Sequence, residues 1–185
     1  MKFSEYIVKS KENINKLGHI EDEIHIVANV LIECISSGNK VIFCGNGGSA
    51  ADSQHLAAEF MGRFLRDRKP LPSIALTVDT SAITAIGNDY GYDQIFSRQL
   101  RGIAKSGDVL IGISTSGASK NIIEAFKAAS DIGVISVALT GSSNSEMSSL
   151  SDYSIKAPSG ETNYIQEMHI MIGHYLCYCV EDSIL

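Results

Sequence analysis

The sequence has no tryptophan and only three prolines, Pro70, Pro72 and Pro158. All three fall between periodic segments, where a fixed φ and a missing amide interrupt no helix or strand. The four cysteines, Cys34, Cys44, Cys177 and Cys179, include no CxxC pair, and each stands in an apolar stretch. That argues against a zinc-thiolate site or a disulfide framework and leaves the thiols as small core hydrophobes. No apolar run approaches the roughly 18 residues of a membrane helix, and the opening MKFSEYIVKSKEN is too charged for the core of a signal peptide, so the expected location is the cytoplasm. Positive charge is also short. Fifteen Lys and Arg against 21 Asp and Glu leave a net charge of −6, a field that repels nucleic-acid backbones, so neither nucleic acid nor membrane is an expected partner. Finally, there is no GKS or GKT, which excludes a P-loop for a nucleoside triphosphate.

What is present is core material. Of 185 residues, 44% are hydrophobic and 19% charged, which suits one globular domain over residues 1–185. Helical spacing of apolar residues predicts helices over Ser4 to Leu17 and Glu21 to Ser36. Short β-branched runs then predict buried strands over Lys40 to Cys44, Ser73 to Thr77, Val109 to Ser114, Val134 to Thr140 and Tyr153 to Ala157. Helical stretches separate them: Ala50 to Leu65, a broken region from Ser81 to Ile103, Asn121 to Ile132, and Ser145 to Leu150. A long helix runs from Asn163 to about Ser183. Alternating strands and helices, with strands apolar throughout, predict an α/β fold: an open five-stranded parallel sheet with helices on both faces. Ligands then belong at the carboxyl ends of the strands.

Two loops at such ends have the composition of anion sites. GNGGSAAD follows the first strand, where Gly45, Gly47 and Gly48 allow close backbone approach and the next helix offers unpaired amides. STSGAS follows the third, placing Ser114, Thr115, Ser116 and Ser119 around another helix start, with Lys120 beside them. Hydroxyls and amides can wrap a phosphate monoester without a metal, so this loop is the better phosphate candidate. Glycine and serine also make ordinary turns and caps, so neither loop decides alone. GNGGSA spells a dinucleotide fingerprint too, but Asp79 lies too far along the chain for its acid, and no room remains for a second catalytic domain.

The helix after the first loop carries QHLAAEF, which puts His55 and Glu59 one turn apart on one face, spaced for a shared metal ion or proton. The last helix, in IQEMHIMIGH, supplies Gln166, Glu167, His169 and His174. Nothing in the spacing of His169 or His174 marks either as a ligand.

These residues carry a resemblance. CGNGGSAADSQHLAAEFMGRF, AIGNDYG, FSRQ, GDVLIGISTSGASKNI and IQEMHIMIGH, in that order over nearly the whole chain, resemble the phosphoheptose isomerases of bacterial heptose biosynthesis, members of the sugar isomerase (SIS) domain group. The resemblance implies a SIS, flavodoxin-like fold and an aldose-ketose isomerase that converts sedoheptulose 7-phosphate to D-glycero-D-manno-heptose 7-phosphate for lipopolysaccharide or capsule. It also implies a homotetramer with active sites between subunits, residues 1–37 serving oligomerisation. By position, Ser114, Thr115, Ser116 and Ser119 would bind phosphate, and Asn46, Gly47, Gly48, Ser49, Asp89 and Gln166 would contact the substrate. Glu59 and His174 would be the catalytic pair, and zinc, one per subunit, would sit on His55, Glu59, Gln166 and His174.

The chemistry suits those residue types, because moving a carbonyl between C2 and C1 requires a proton removed, an enediol, and a proton returned. A free glutamate, at about 4.3, is a poor base for a carbon acid, and desolvation would raise it. Metal-bound Glu59 would be a weaker base, so the two implied roles compete. Eight residues of regular helix also separate Gln166 from His174 by about 12 Å along the axis, which favours a ligand set completed by a neighbouring subunit. Two positions depart from the family, Asn163 and Tyr164, where an acid or alanine and an arginine are usual. A different class with the same fold is the non-catalytic binding module, as in an initiator-associating protein of DNA replication and in sugar-phosphate-sensing regulators. That replication relative lacks the matching glutamate and histidine, which this chain keeps.

Overall fold

All five β-branched runs form strands in a computed structural model that describes residues 1–185. They are β1 (Val41–Gly45), β2 (Ser73–Ala75), β3 (Val109–Ile113), β4 (Ile135–Thr140) and β5 (Tyr153–Lys156), in the order β2-β1-β3-β4-β5 with every pairing parallel. Around them lie α1 (Phe3–Asn15), α2 (Glu21–Ser36), α3 (Gly48–Met61), α4 (Thr80–Tyr90), α5 (Ile95–Ile103), α6 (Lys120–Ile132), α7 (Glu146–Leu150) and α8 (Thr162–Ser183). The broken region divides at Gly91 and a short 3-10 turn, Tyr92–Gln94, into α4 and α5.

Alternation along each strand feeds two apolar layers. Val41, Phe43, Val109, Ile111, Val137 and Leu139 point to one face and pack with Leu31 of α2, Leu56 and Phe60 of α3 and Ile172 and Leu176 of α8. Ile42, Cys44, Leu110 and Ala138 point to the other and meet Phe96 and Leu100 of α5 and Ile122 and Phe126 of α6. Each such aliphatic or aromatic side chain contributes roughly 1.5 to 3 kcal/mol when removed from water, so both faces must be covered, as the uninterrupted apolar strands require. Three of the cysteines are buried and none forms a disulfide.

The topology fixes where a ligand can go. From β1 the chain passes to β2 on one side, then returns to β3 on the other, so the winding direction switches between β1 and β3. Their register is level, with Cys44 opposite Gly112 and Gly45 opposite Ile113, so the glycine loop and the serine loop leave the sheet side by side. A crevice at such a switch point is the usual ligand site of open parallel sheets.

Most element ends shift from expectation, nearly all by one or two residues, and two of the shifts have a visible cause. The third helix stops at Met61, not Leu65, because the following residues turn to bond α8. The second strand stops at Ala75, not Thr77. Leu76 still donates to the Phe43 carbonyl, after which Asp79 turns the chain by capping α4 through Ala82. No helix is long and apolar enough to cross a membrane.

Candidate active site

The serine loop closes on itself. Ser114, buried at the end of β3, lies 2.9 Å from Ser119 and 3.4 Å from Ser116, oxygen to oxygen, and accepts from the Gly117 amide at 3.2 Å. Gly117 is at φ +64, and a Cβ there would stand 2.2 Å from Ser145 Oγ, so only glycine fits this turn. Ser119 occupies the N-cap of α6 without a side-chain capping bond, which leaves first-turn amides of a 13-residue helix facing outward. Thr115 and Ser116 line a polar cleft of about 220 Å³ with Ser142, Ser143, Ser159 and Thr162. Lys120, expected beside the hydroxyls, instead lines a separate cleft with Asp93 and Glu124.

The glycine loop is tied to the serine loop by the pairing of Asn46 with Asn121, a residue that neither loop motif marked. Asn46 Nδ2 donates to Asn121 Oδ1 at 2.9 Å, Asn121 Nδ2 donates back to Asn46 Oδ1 at 2.8 Å, and the Tyr92 hydroxyl also donates to Asn46 Oδ1 at 3.0 Å. Asn121 is buried in the first turn of α6, so it joins the starts of the two site loops. Gly47, at φ +57, opens α3, and Ser49 is buried in its first turn. Asp89 stands apart, exposed near the end of α4, its carboxylate accepting from Asn88 at 2.8 Å and bonded to neither loop.

Helices α3 and α8 run parallel, as their contacts show in sequence. A Cβ on Gly48 would lie 2.7 Å from Gln166 Nε2, and one on Gly173 would lie 2.6 Å from Leu56 Cδ2. One residue before Leu56 and one after Gly173, His55 and His174 meet with their Nε2 atoms 2.8 Å apart. Glu59 Oε1 lies 3.5 Å from the same His55 nitrogen. His55, Glu59 and His174 therefore gather, with Glu59 the better covered at 22% side-chain exposure against 46% for His55. The Phe64 ring, unnoticed in the sequence, lies against His174 with centroids 5.6 Å apart. Gln166 is at the other end of this contact, beside Gly48, as its eight-residue offset from His174 demands.

His169 lies outside this group. It is 1% exposed, its Nε2 donates to the Thr140 carbonyl at 3.0 Å, and Nδ1 has no partner. Burial pushes its pKa down to about 4, so the ring is neutral and packed. The departures are structural as well: Asn163 donates to the Tyr6 hydroxyl at 3.0 Å, and the buried Tyr164 ring packs on Tyr6 at 5.3 Å.

The sequence profile of the SIS domain matches residues 3–141. A phosphoheptose isomerase of Aneurinibacillus thermoaerophilus is 56% identical over 161 residues, covering 87% of this chain and 81% of the relative. One of Akkermansia muciniphila is 51% identical over 173 residues, covering 94% and 92%. The chain belongs to the phosphoheptose isomerase family. Its fold agrees, since the structure of a phosphoheptose isomerase from Francisella tularensis superposes with a TM-score of 0.93 at 35% identity, covering 97% of this chain and 96% of that one.

Two imidazole nitrogens and a carboxylate are a zinc donor set by chemistry. Within one chain, however, no three His, Cys, Asp or Glu side chains stand at metal-ligand geometry. The rings of His55 and His174 touch at 2.8 Å, whereas two nitrogens on one tetrahedral zinc are about 3.3 Å apart for bonds of 2.0 to 2.1 Å. The donor types fit zinc once the rings part by a few tenths of an ångström and a further donor is supplied.

Proposed function

We propose that the chain is an aldose-ketose isomerase converting sedoheptulose 7-phosphate to D-glycero-D-manno-heptose 7-phosphate in heptose biosynthesis, acting as a cytoplasmic homotetramer. The observation that carries this reading is the gathering of Glu59 and His174 around His55, on the helix leaving the glycine loop at the switch point of the sheet.

The reaction needs no redox partner. One proton leaves C1, an enediol forms, one proton arrives at C2, and a hydroxyl proton passes from O1 to O2. Glu59 is the base that takes the C1 proton; at 22% side-chain exposure it exchanges that proton with solvent at the enediol stage and delivers a proton to C2. His174 holds the proton moving between the oxygens and stabilises the oxyanion as it develops. The hydroxyls of Ser114, Thr115, Ser116 and Ser119, with the first-turn amides of α6, take the phosphate. Asn46, Gly47, Gly48, Ser49, Gln166 and Asp89 contact the sugar. Asp89 is exposed and unattached to either loop, so it reaches the sugar only if the segment around α4 moves or a neighbouring subunit presents it.

His55, Glu59, His174 and Gln166 would hold zinc, one per subunit, and zinc bound there would supply Lewis-acid polarisation of the substrate oxygens. Gln166 lies beside Gly48 in its own chain, so the set closes between subunits. A tetramer is supported by exposed apolar residues on the outer helices, among them Phe3, Val8, Ile26, Met171 and Tyr175, and by a groove of about 280 Å³ between the α1–α2 junction and α8.

The test is incubation of the purified protein with sedoheptulose 7-phosphate, followed by NMR, before and after chelation. Aldose that forms, falls on chelation and returns with zinc supports the reading. No aldose from the zinc-loaded protein overturns it.

A further inference from the structure

The segment that follows α3 is held by a buried ion pair far from any solvent-facing role. Arg68 and Glu181 have side chains 4% and 3% exposed, and Arg68 Nε donates to Glu181 Oε1 at 3.0 Å. The rest of the guanidinium faces the end of α3: Nη2 donates to the Glu59 carbonyl at 2.8 Å, and Nη1 donates to the Phe60 carbonyl at 2.9 Å and the Lys69 carbonyl at 3.1 Å. The Glu181 carboxylate also accepts from the backbone amides of Phe64, Leu65 and Arg66, at 3.0, 2.8 and 3.0 Å. Burial pushes this carboxyl up, but the three amides and the guanidinium overcome that and hold it below the usual range, so it is ionised.

The pair therefore contacts Glu59 directly and reaches His174 through Phe64. Through Nη2 it grips the backbone of Glu59 itself. Through the Phe64 amide it fixes the residue whose ring lies on His174. Glu181 stands seven residues after His174, about two turns further along the same face of α8. A buried ion pair is a poor source of net stability, because hydrophobic replacements are often neutral or better. What this one supplies is geometry: a guanidinium fork that locks the end of α3 to α8 in a fixed register.

We infer that Arg68, with Glu181, is a positioning residue that sets Glu59 and His174 relative to one another. The inference rests on the catalytic reading of that pair. Neither residue touches substrate, so removing the clamp misplaces the reacting groups without opening the phosphate loop, and misplacement by about 1 Å can cost up to a hundredfold in rate.

Arg68→Lys keeps a charge for Glu181 but cannot also reach the α3 carbonyls. Phe64→Leu leaves the ion pair intact and removes only the ring on His174. Each is assayed for kcat and KM with sedoheptulose 7-phosphate, and at fixed pH for the ring-proton NMR signals of His174, which the Phe64 ring current shifts. In Arg68→Lys the inference expects kcat to fall about tenfold or more, KM to stay within about twofold, and the His174 signals to move in the folded protein. A folded Arg68→Lys with wild-type kcat and unmoved His174 signals overturns it. If Arg68→Lys does not fold, Glu181→Gln, which removes the charge that holds Arg68 and the Phe64 amide, decides in its place. A fall in kcat at unchanged KM with moved His174 signals supports the inference, wild-type kcat with unmoved signals overturns it, and Phe64→Leu measures the share of the loss that passes through the ring. Glu59→Gln, assayed in parallel, separates the two readings. Turnover in Glu59→Gln removes the catalytic role of the pair, while displaced His174 signals in Arg68→Lys still establish the positioning.

Discussion

Replacing Asn121 by alanine tests whether the link between the two site loops holds the substrate-binding asparagine. The structure gives Asn46 three side-chain hydrogen bonds: two reciprocal ones with Asn121 at 2.8 and 2.9 Å and one from Tyr92 at 3.0 Å. Asn121→Ala deletes the reciprocal pair, each bond contributing about 1 kcal/mol net. Asn46 is only half-buried, so water recovers part of the loss, and the expected cost is about 1 to 2 kcal/mol. For a chain of this size that is a fall in Tm of about 2 to 8 °C, read by calorimetry. Freed from one side, Asn46 swings toward Tyr92, and KM for sedoheptulose 7-phosphate rises up to about tenfold, which 1.4 kcal/mol supplies. The change in kcat should be smaller, because Glu59 and His174 are untouched. Tyr92→Phe removes a single exposed bond and costs under about 1 kcal/mol. The double variant should be worse than additive, since both residues hold the same oxygen. A lowered Tm with an unchanged KM would refute the reasoning by showing that Asn46 does not meet substrate.

Three further outcomes follow from other parts of the structure. Ser116→Ala should weaken substrate binding by about 1 to 3 kcal/mol with kcat nearly kept, measured as KM, because its hydroxyl belongs to the phosphate loop and not to proton transfer; an unchanged KM relocates the phosphate. His169 has a folded pKa of about 4 against 6.5 unfolded, so the unfolded chain binds the extra proton between those values, and stability present above pH 6.5 is lost as pH falls toward 4, by of order 3 kcal/mol. His169→Gln, which can still donate to Thr140, should flatten that part of a urea-unfolding pH series, and an unaltered slope would assign it to other groups. Gly173→Ala puts a Cβ 2.6 Å from Leu56 Cδ2 and should destabilise by about 1 to 3 kcal/mol while lowering kcat, since it pushes apart the two helices that carry His55 and His174; full activity would mean the helix spacing is not critical.

The sheet was legible because its strands are apolar on both faces and short, a pattern that only a doubly covered parallel sheet requires. Their burial bears this out, with β1 and β3 fully inside. The site loops were legible for the same reason, since glycine and serine clusters interrupt the apolar rhythm where β1 and β3 end. The His55–Glu59 spacing was readable as one helix face. What was not readable depends on contacts between distant segments. Arg68 and Glu181 are 113 positions apart, and one of three arginines after a helix (Arg63, Arg66, Arg68) carries no signal of its partner. Asn121 had a local signal, a buried amide in the first turn after a serine loop, but its use depends on the level register of β1 and β3, which periodicity does not give. The end of α3 was misplaced for the same cause: Phe64 and Leu65 continue an apolar helical pattern, and only the carboxylate of Glu181 turns their amides away.

The central claim is proton transfer by Glu59 through an enediol, and it is met most directly by running the reaction in D2O. Sedoheptulose 7-phosphate is incubated with the wild-type protein and with Glu59→Gln, and the product is read by proton and carbon NMR. The account predicts that the wild-type protein forms aldose 7-phosphate carrying deuterium at C2, and that Glu59→Gln forms none while its substrate binding persists. Aldose formed without any solvent deuterium, or formed by Glu59→Gln at the wild-type rate, would contradict it.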